Sequence, residues 1–406
     1  MGESRAETTW FISFIFANAA QAAISPLTPL FILNLKGTIV DVGFVSAAYN
    51  LMVIPASVFW GRLSDKMGRR KIFILIGMLS SAILVAAFSL IQNVLQLLLL
   101  NALLGFFLTA YVPVASMLIV DMYPKSRWTR FVAIYNFFNL IGWISGIFIG
   151  ALWFSLFHFG MRELFVFSSI LFTSGLVAST LLISDPKDLK KKRETVTPQD
   201  KKPLLQALES ALREVYTREF TVFLVFITII FTAYNACFVT LPVYYKSLGI
   251  SEGNIFLLFL IGPVSAMASN LVAGRLVTGL GEKKVMIGGA IIRGGGAIIF
   301  ALIGVLVGAV TLKTIAFGVN MILWGSSWSI LWIPASIIVL KMGEGPRLGT
   351  FQGVFNAFTG IATVIGSFIG GIIPYFYGFP QHFIISGSIA LIGVLFLIVG
   401  ARGHKY

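Results

Sequence analysis

The sequence predicts an all-α membrane protein, with about twelve transmembrane helices in two pseudo-symmetric six-helix bundles. Three observations predict it. Hydrophobic residues are 57% of the 406 and charged residues only 11%, where soluble domains carry about 25% charged. Apolar runs recur along the chain, each long enough at about 20 residues to cross a hydrocarbon core roughly 30 Å thick. A charged loop also repeats: Gly61, Arg62, Leu63, Gly68 and Lys71 return 213 positions later as Gly274, Arg275, Leu276, Gly281 and Lys284.

The runs are read as helices because lipid offers no hydrogen-bond partners, so a spanning segment must satisfy its own backbone. The alternation of a membrane β-barrel is absent. The first run, from Trp10 to about Leu35, is too long for a signal peptide and lacks a basic leader, so it is read as the first span. The others follow at 39–63, 71–92, 94–122, 130–156 and 162–184, then 219–246, 252–278, 285–308, 314–340, 349–374 and 381–401. Residues 1–184 and 219–406 form the two bundles. Residues 185–218 form a polar linker, in which Leu204, Leu205, Leu208, Leu212 and Val215 have the spacing of an amphipathic helix.

The net charge of +14 does not point to nucleic acid, because it is confined to alternate loops. Arg62 to Lys71, Lys125 to Arg130, the linker lysines, Arg275 to Lys284, Lys341 to Arg347 and Arg402 to Lys405 fall on one side. Only Lys36, Arg162, Lys246 and Lys313 fall on the other. Basic loops face the cytoplasm, so both termini and the linker are expected there, in a multi-pass cell-membrane protein. One cysteine, Cys237, and three scattered histidines give no disulfide, metal or cofactor site. No nucleophile–base constellation suggests an enzyme.

The halves match beyond the loop. Gly105 pairs with Gly325 at an offset of 220, as do Asn136 with Asn356, Gly146 with Gly366 and Gly150 with Gly370. Both halves begin and end on the same side, so they are parallel repeats of the kind found in secondary transporters. Within the loop, Gly61, Asp65 and Arg69 are four apart and share a face if the helix continues. Gly61 would admit a neighbouring helix, Asp65 would accept hydrogen bonds from a facing helix N-terminus, and Arg69 would fork a second carboxylate. Asp121, ending the fourth span on the same side, is the candidate. The four residues read as a conformational latch.

The order Gly61-x-Leu63-x-Asp65-x-x-Gly68-Arg69-Arg70 resembles the signature loop of the major facilitator superfamily, and the resemblance extends over nearly the whole chain. It implies a carrier that works by alternating access, with the latch on the N-terminal half. Thr278 stands in the second copy where the first has Asp65, which implies a weaker or missing latch there. Gly142, Gly146 and Gly150 resemble the glycine-rich motif of the antiporter branches, although Ile147 replaces its usual proline. Asn101 stands where the family often has an arginine linked to proton coupling. The leading expectation is efflux of small amphiphilic compounds. Import or facilitation of sugars or organic anions, and lipid movement, are the alternatives.

Every carboxylate lies toward a span end, so proton coupling would run through Asp41 or the latch rather than a central acid, with uncoupled, downhill facilitation as the alternative. Arg293, well inside the ninth span, is expected to be structural or snorkelling, with an anion contact as the sharper reading. Neutral substrate-cavity candidates are Asn18, Gln21, Tyr135, Asn136, Asn139, Tyr234, Asn235, Trp324 and Asn356. Aromatic rings with sparse amides suit amphiphilic ligands. The expected partners are a small-molecule substrate and the lipid bilayer, with the protein a monomer.

Overall fold

The computed structural model describes residues 8–185, 215, 217–343 and 348–400. The amphipathic stretch expected in the linker lies outside these residues, apart from Val215.

After a short 3₁₀ turn come α1 (Ile12–Asn34), α2 (Ile39–Met67), α3 (Lys71–Phe88), α4 (Val94–Leu108), α5 (Val112–Met122), α6 (Trp128–Ser155) and α7 (Met161–Leu182). They are followed by α8 (Arg218–Ser247), α9 (Glu252–Leu280), α10 (Glu282–Leu306), α11 (Val310–Met342), α12 (Leu348–Tyr377) and α13 (Phe379–Gly400). Twelve spans long and apolar enough to cross a membrane result among the described residues, with α4 and α5 together making the fourth. Leu181 and Leu271 are each 77% exposed, a burden that lipid, unlike water, does not penalise.

Helix ends follow local chemistry. Asn93 caps α4 by accepting from the Gln96 amide at 3.0 Å, and Gln96 Oε1 accepts from the Gln92 amide at 2.9 Å. One orphan donor of the first turn, and one amide just before the cap, thereby find an oxygen. Gly68 and Gly281 hold φ of 63° and 83°, a left-handed conformation that glycine adopts without steric cost. They are the same position in the two copies of the charged loop, and each reverses the chain between consecutive spans.

The fourth span is interrupted where the sequence suggests continuity. Residues 109–111 form a turn between α4 and α5. Pro113, at the start of α5, has no N–H to offer the carbonyl four residues back. Thr109 turns its hydroxyl onto the Gly105 carbonyl at 2.6 Å.

The chain divides into two compact units. The first holds α1, α2 from Ala48 onward, α3 to α7 and Glu252–Leu257; the second holds Ile39–Ala47, α8, α9 from Leu258 onward and α10 to α13. Internal packing is alike in both. In the first, α1 packs on α6 and α7, and α3 on α4 and α7; in the second, α8 packs on α12 and α13, and α10 on α11 and α13. The second core gathers Phe220, Phe226, Leu331 and Phe355, among others.

Glycines set how closely these helices approach. A Cβ on Gly142 would stand 2.5 Å from the Ile15 carbonyl oxygen and 2.9 Å from Asn18 Cβ. One on Gly366 would stand 2.5 Å from the Thr232 carbonyl oxygen and 2.8 Å from Asn235 Cβ. A Cβ on Gly146 would likewise fall onto the Ala19 carbonyl oxygen. Ala19 and Thr232 are 213 apart, as are the left-handed residues Lys36 and Gly249 that follow α1 and α8, so Gly366 on Thr232 repeats Gly146 on Ala19 and matches the pairing read from sequence. The pairing of Gly105 with Gly325 also matches the structure, since their Cβ atoms would meet the Tyr49 and Gly262 carbonyl oxygens, each at 2.5 Å.

Candidate functional sites: an ion-paired loop and a buried arginine

The charged loop forms an ion-pair cluster around Arg70 rather than Arg69. Arg70 Nε donates to Asp121 Oδ2 at 2.8 Å, and its Nη1 donates to Asp65 Oδ1 at 2.9 Å and to Ser64 Oγ at 2.7 Å. The amides of Arg70 and Lys71 both donate to Asp185 Oδ1 at 2.9 Å, so that carboxylate caps the start of α3, where the helix dipole is positive. Arg70 is buried and Arg69 exposed. The four-residue spacing fails because α2 ends at Met67 and Gly68 reverses the chain, which takes position 69 off the face shared by Gly61 and Asp65. Gly61 is not a helix-packing glycine either, since a Cβ there would meet nothing within 4 Å. The cluster ties α2, α3, α5 and Asp185 together within the first unit.

The second copy also carries an ion pair, with the charges exchanged. Lys341, ending α11, donates to Glu282 Oε1 at the start of α10 at 2.6 Å. Asp121 and Arg70 join the corresponding ends of α5 and α3. Thr278 has turned back onto its own helix and donates to the Arg275 carbonyl at 2.8 Å. Lys341 is 63% exposed, whereas the Arg70 side chain is 6% exposed. An exposed pair contributes about 0–1 kcal/mol, so the two copies differ in strength as well as sign. A cavity of about 390 Å³ beside this second pair is lined by Lys283, Lys284, Phe223 and Met286, and by none of the candidates drawn from sequence.

Most polar candidates are occupied in joining helices. Asn18 Nδ2 donates to Asn139 Oδ1 at 3.0 Å and to the Phe14 carbonyl at 2.8 Å, linking α1 to α6. Asn235 Nδ2 does the same between α8 and α12, donating to Thr363 Oγ1 at 3.3 Å and to the Phe231 carbonyl at 2.9 Å. Gln21 Nε2 reaches Tyr49 Oη at 3.4 Å. Tyr135 is buried edge-on to Phe14, with ring centroids 5.2 Å apart. Asn136 and Asn356 are exposed, and Asn356 Oδ1 accepts from Gln352 at 3.1 Å. Asp41 lies half-buried in the first turn of α2.

Arg293 does not snorkel. It sits near the middle of α10 and is 3% exposed, turned inward against α8 and α11. Its guanidinium carbon lies 4.4 Å from the Tyr234 ring centroid, 5.0 Å from Trp324 and 5.3 Å from Trp328. Nε donates to Ser327 Oγ at 3.1 Å and Nη2 to the Trp324 carbonyl at 3.2 Å. Among the described residues no carboxylate pairs with it. Sequence reasoning found Arg293, Tyr234 and Trp324 separately; it missed Arg70, Ser64, Asp185 and the break at 109–111. Pro113 was the available signal for the last.

The sequence profile described as "Major Facilitator Superfamily" matches residues 10–343. The chain is 26% identical to the multidrug resistance protein MdtG of Escherichia fergusonii, over 95% of this chain and 92% of that one. It is equally similar to the protein of that name from Klebsiella pneumoniae, over 97% and 92%. In fold it matches a mutant of the nucleoside transporter NupG, with a TM-score of 0.83 and 14% identity over 98% of this chain and 100% of that one. A bacterial homologue of the human lysosomal transporter Spinster matches with a TM-score of 0.69 and 15% identity, over 99% and 97%. This is a multi-pass membrane transporter for a small solute, and the chain belongs to the Major Facilitator Superfamily.

Proposed function

We propose that the protein exports small amphiphilic compounds by alternating access, exchanging them for protons. The observation that carries this reading is similarity along almost the full length to two proteins named for multidrug resistance. The chemistry of the spans is compatible with it. Among the described residues, every carboxylate in a spanning helix stands in a first or last turn, and the polar groups between are neutral except for Arg62, Arg275 and Arg293. A path of rings and amides accepts many apolar shapes.

In this reading the Arg70 cluster is the conformational latch. Arg70 holds two carboxylates at once, and their release would free α2 and α5 from α3. Asp41, Asp65 and Asp121 are the carboxylates through which protons couple. Tyr234, Trp324, Gln21 and the exposed Asn136 and Asn356 are the proposed substrate contacts. The protein acts as a monomer in the cell membrane, with both termini in the cytoplasm.

The test is flux in proteoliposomes with an imposed pH gradient. A fluorescent amphiphilic dye should move faster when the gradient opposes its flow with protons, and an ionophore should abolish the difference. Flux indifferent to the gradient would overturn proton exchange.

A further inference from the structure

We propose that Arg293 is the recognition group for an organic carboxylate carried on an aromatic body, bound among α8, α10 and α11 of the second unit. The inference rests on the transport reading and narrows its substrate class.

A guanidinium cannot shed its charge, and a charge within the membrane is retained where it pairs or marks a pathway. Three aromatic faces around Arg293 supply cation–π attraction, each about 0.5–2 kcal/mol. The ring faces accept no in-plane hydrogen bond; the Tyr234 hydroxyl is the one oxygen these three rings carry, and Arg293 Nη1 is buried without a hydrogen-bond partner. Nearby, Trp324 Nε1 is also buried without an acceptor. Asn320 fixes its amide by donating Nδ2 to the Gly296 carbonyl at 2.9 Å, which leaves Oδ1 unpartnered. These groups adjoin: a Cβ on Gly296 would lie 2.8 Å from Trp324 Cδ1 and 3.5 Å from Asn320 Oδ1.

The site therefore holds one positive charge and two buried unused donors, with no anion supplied by the described chain. Buried donors without partners cost about 1–3 kcal/mol each. A ligand bringing two acceptor oxygens and one negative charge would satisfy both donors, and a carboxylate matches the guanidinium fork. The ligand's body is set by the walls. Tyr234 and Trp328 are half-buried, and Trp328 stacks on Trp332 with centroids 5.6 Å apart and planes 8° from parallel. A flat aromatic ring can extend that stack.

The experiment is calorimetric titration of the intact purified protein with 1-naphthoate and with its neutral isostere 1-naphthamide. The wild type should bind the carboxylate at least tenfold more tightly. Arg293→Gln should bind both ligands equally, and Trp324→Phe, which keeps a ring but loses the N–H, should weaken naphthoate several-fold. Arg293→Lys, which keeps charge without the fork, should fall between wild type and Arg293→Gln and guards against misfolding of the latter. Equal binding of the two ligands by the wild type, or undiminished preference in Arg293→Gln, overturns the proposal. Arg293-dependent thermal stabilisation by chloride without naphthoate binding would assign the site to an inorganic ion and overturn it equally. No gradient is imposed in this titration, so its failure is distinguishable from a failure of proton-driven export.

Discussion

Arg70 Nε meets Asp121 Oδ2 at 2.8 Å, the carboxylate expected from sequence to meet the neighbouring Arg69. The same guanidinium reaches Asp65 at 2.9 Å, so one side chain joins the ends of three helices. Asp65 is 57% exposed and Asp121 20%, which makes the contact to Asp121 the stronger of the two, since solvent screens it less.

Arg70→Ala should therefore destabilise the folded protein by about 1.5–3 kcal/mol, the range for a hydrogen bond to a charged group whose partner stays partly buried. Arg69→Ala should stay within about 0.5 kcal/mol, as exposed substitutions do. Melting curves of the two variants in detergent decide this; equal losses would put the cluster on the wrong arginine.

The charge-exchanged pair in the second half should matter less. Lys341→Ala is expected to cost at most about 1 kcal/mol, because its ammonium is largely solvated. A melting loss as large as that of Arg70→Ala would contradict the ranking by exposure.

Glycine substitutions separate packing from mere presence in a motif. A Cβ on Gly146 would fall onto the Ala19 carbonyl oxygen, and relieving it must shift α6 from α1, at about 1–3 kcal/mol. Gly61→Ala meets open space and should be neutral or stabilising by up to about 1 kcal/mol, from helix propensity. Thermal stability of each variant in matched detergent checks both signs.

The amide pair between α1 and α6 can be measured directly. A double-mutant cycle of Asn18→Ala and Asn139→Ala should give a coupling near 0.6 kcal/mol and not above about 1.7, the span seen for interhelical hydrogen bonds in membranes. Zero coupling, read from the four stabilities, would show that Asn18 is held by the Phe14 carbonyl alone.

Much of the fold was legible because lipid imposes a simple rule. An apolar run such as 252–278 has no alternative to a helix, and the observed Glu252–Leu280 differs from it by two residues at one end. Finer features depended on geometry the pattern does not carry. Helical spacing pointed to Arg69 because it assumed that α2 continues; one left-handed glycine at Gly68 moved the role to Arg70. The glycines of α6 and α12 recur every four residues, so a one-turn slip still superposes two of them. The left-handed residues that follow α1 and α8, Lys36 and Gly249, fix the register at the offset read from sequence. Arg293 read as structural or snorkelling because its ring partners come from α8 and α11, distant in sequence.

The account's central claim is outward carriage of amphiphiles driven by protons, and its most direct test is dye uptake by inverted membrane vesicles from cells making the protein. On acidification of the lumen, the dye should accumulate inside, and a protonophore should release it. Uptake no greater than in vesicles lacking the protein, or uptake that survives the protonophore, would contradict the claim.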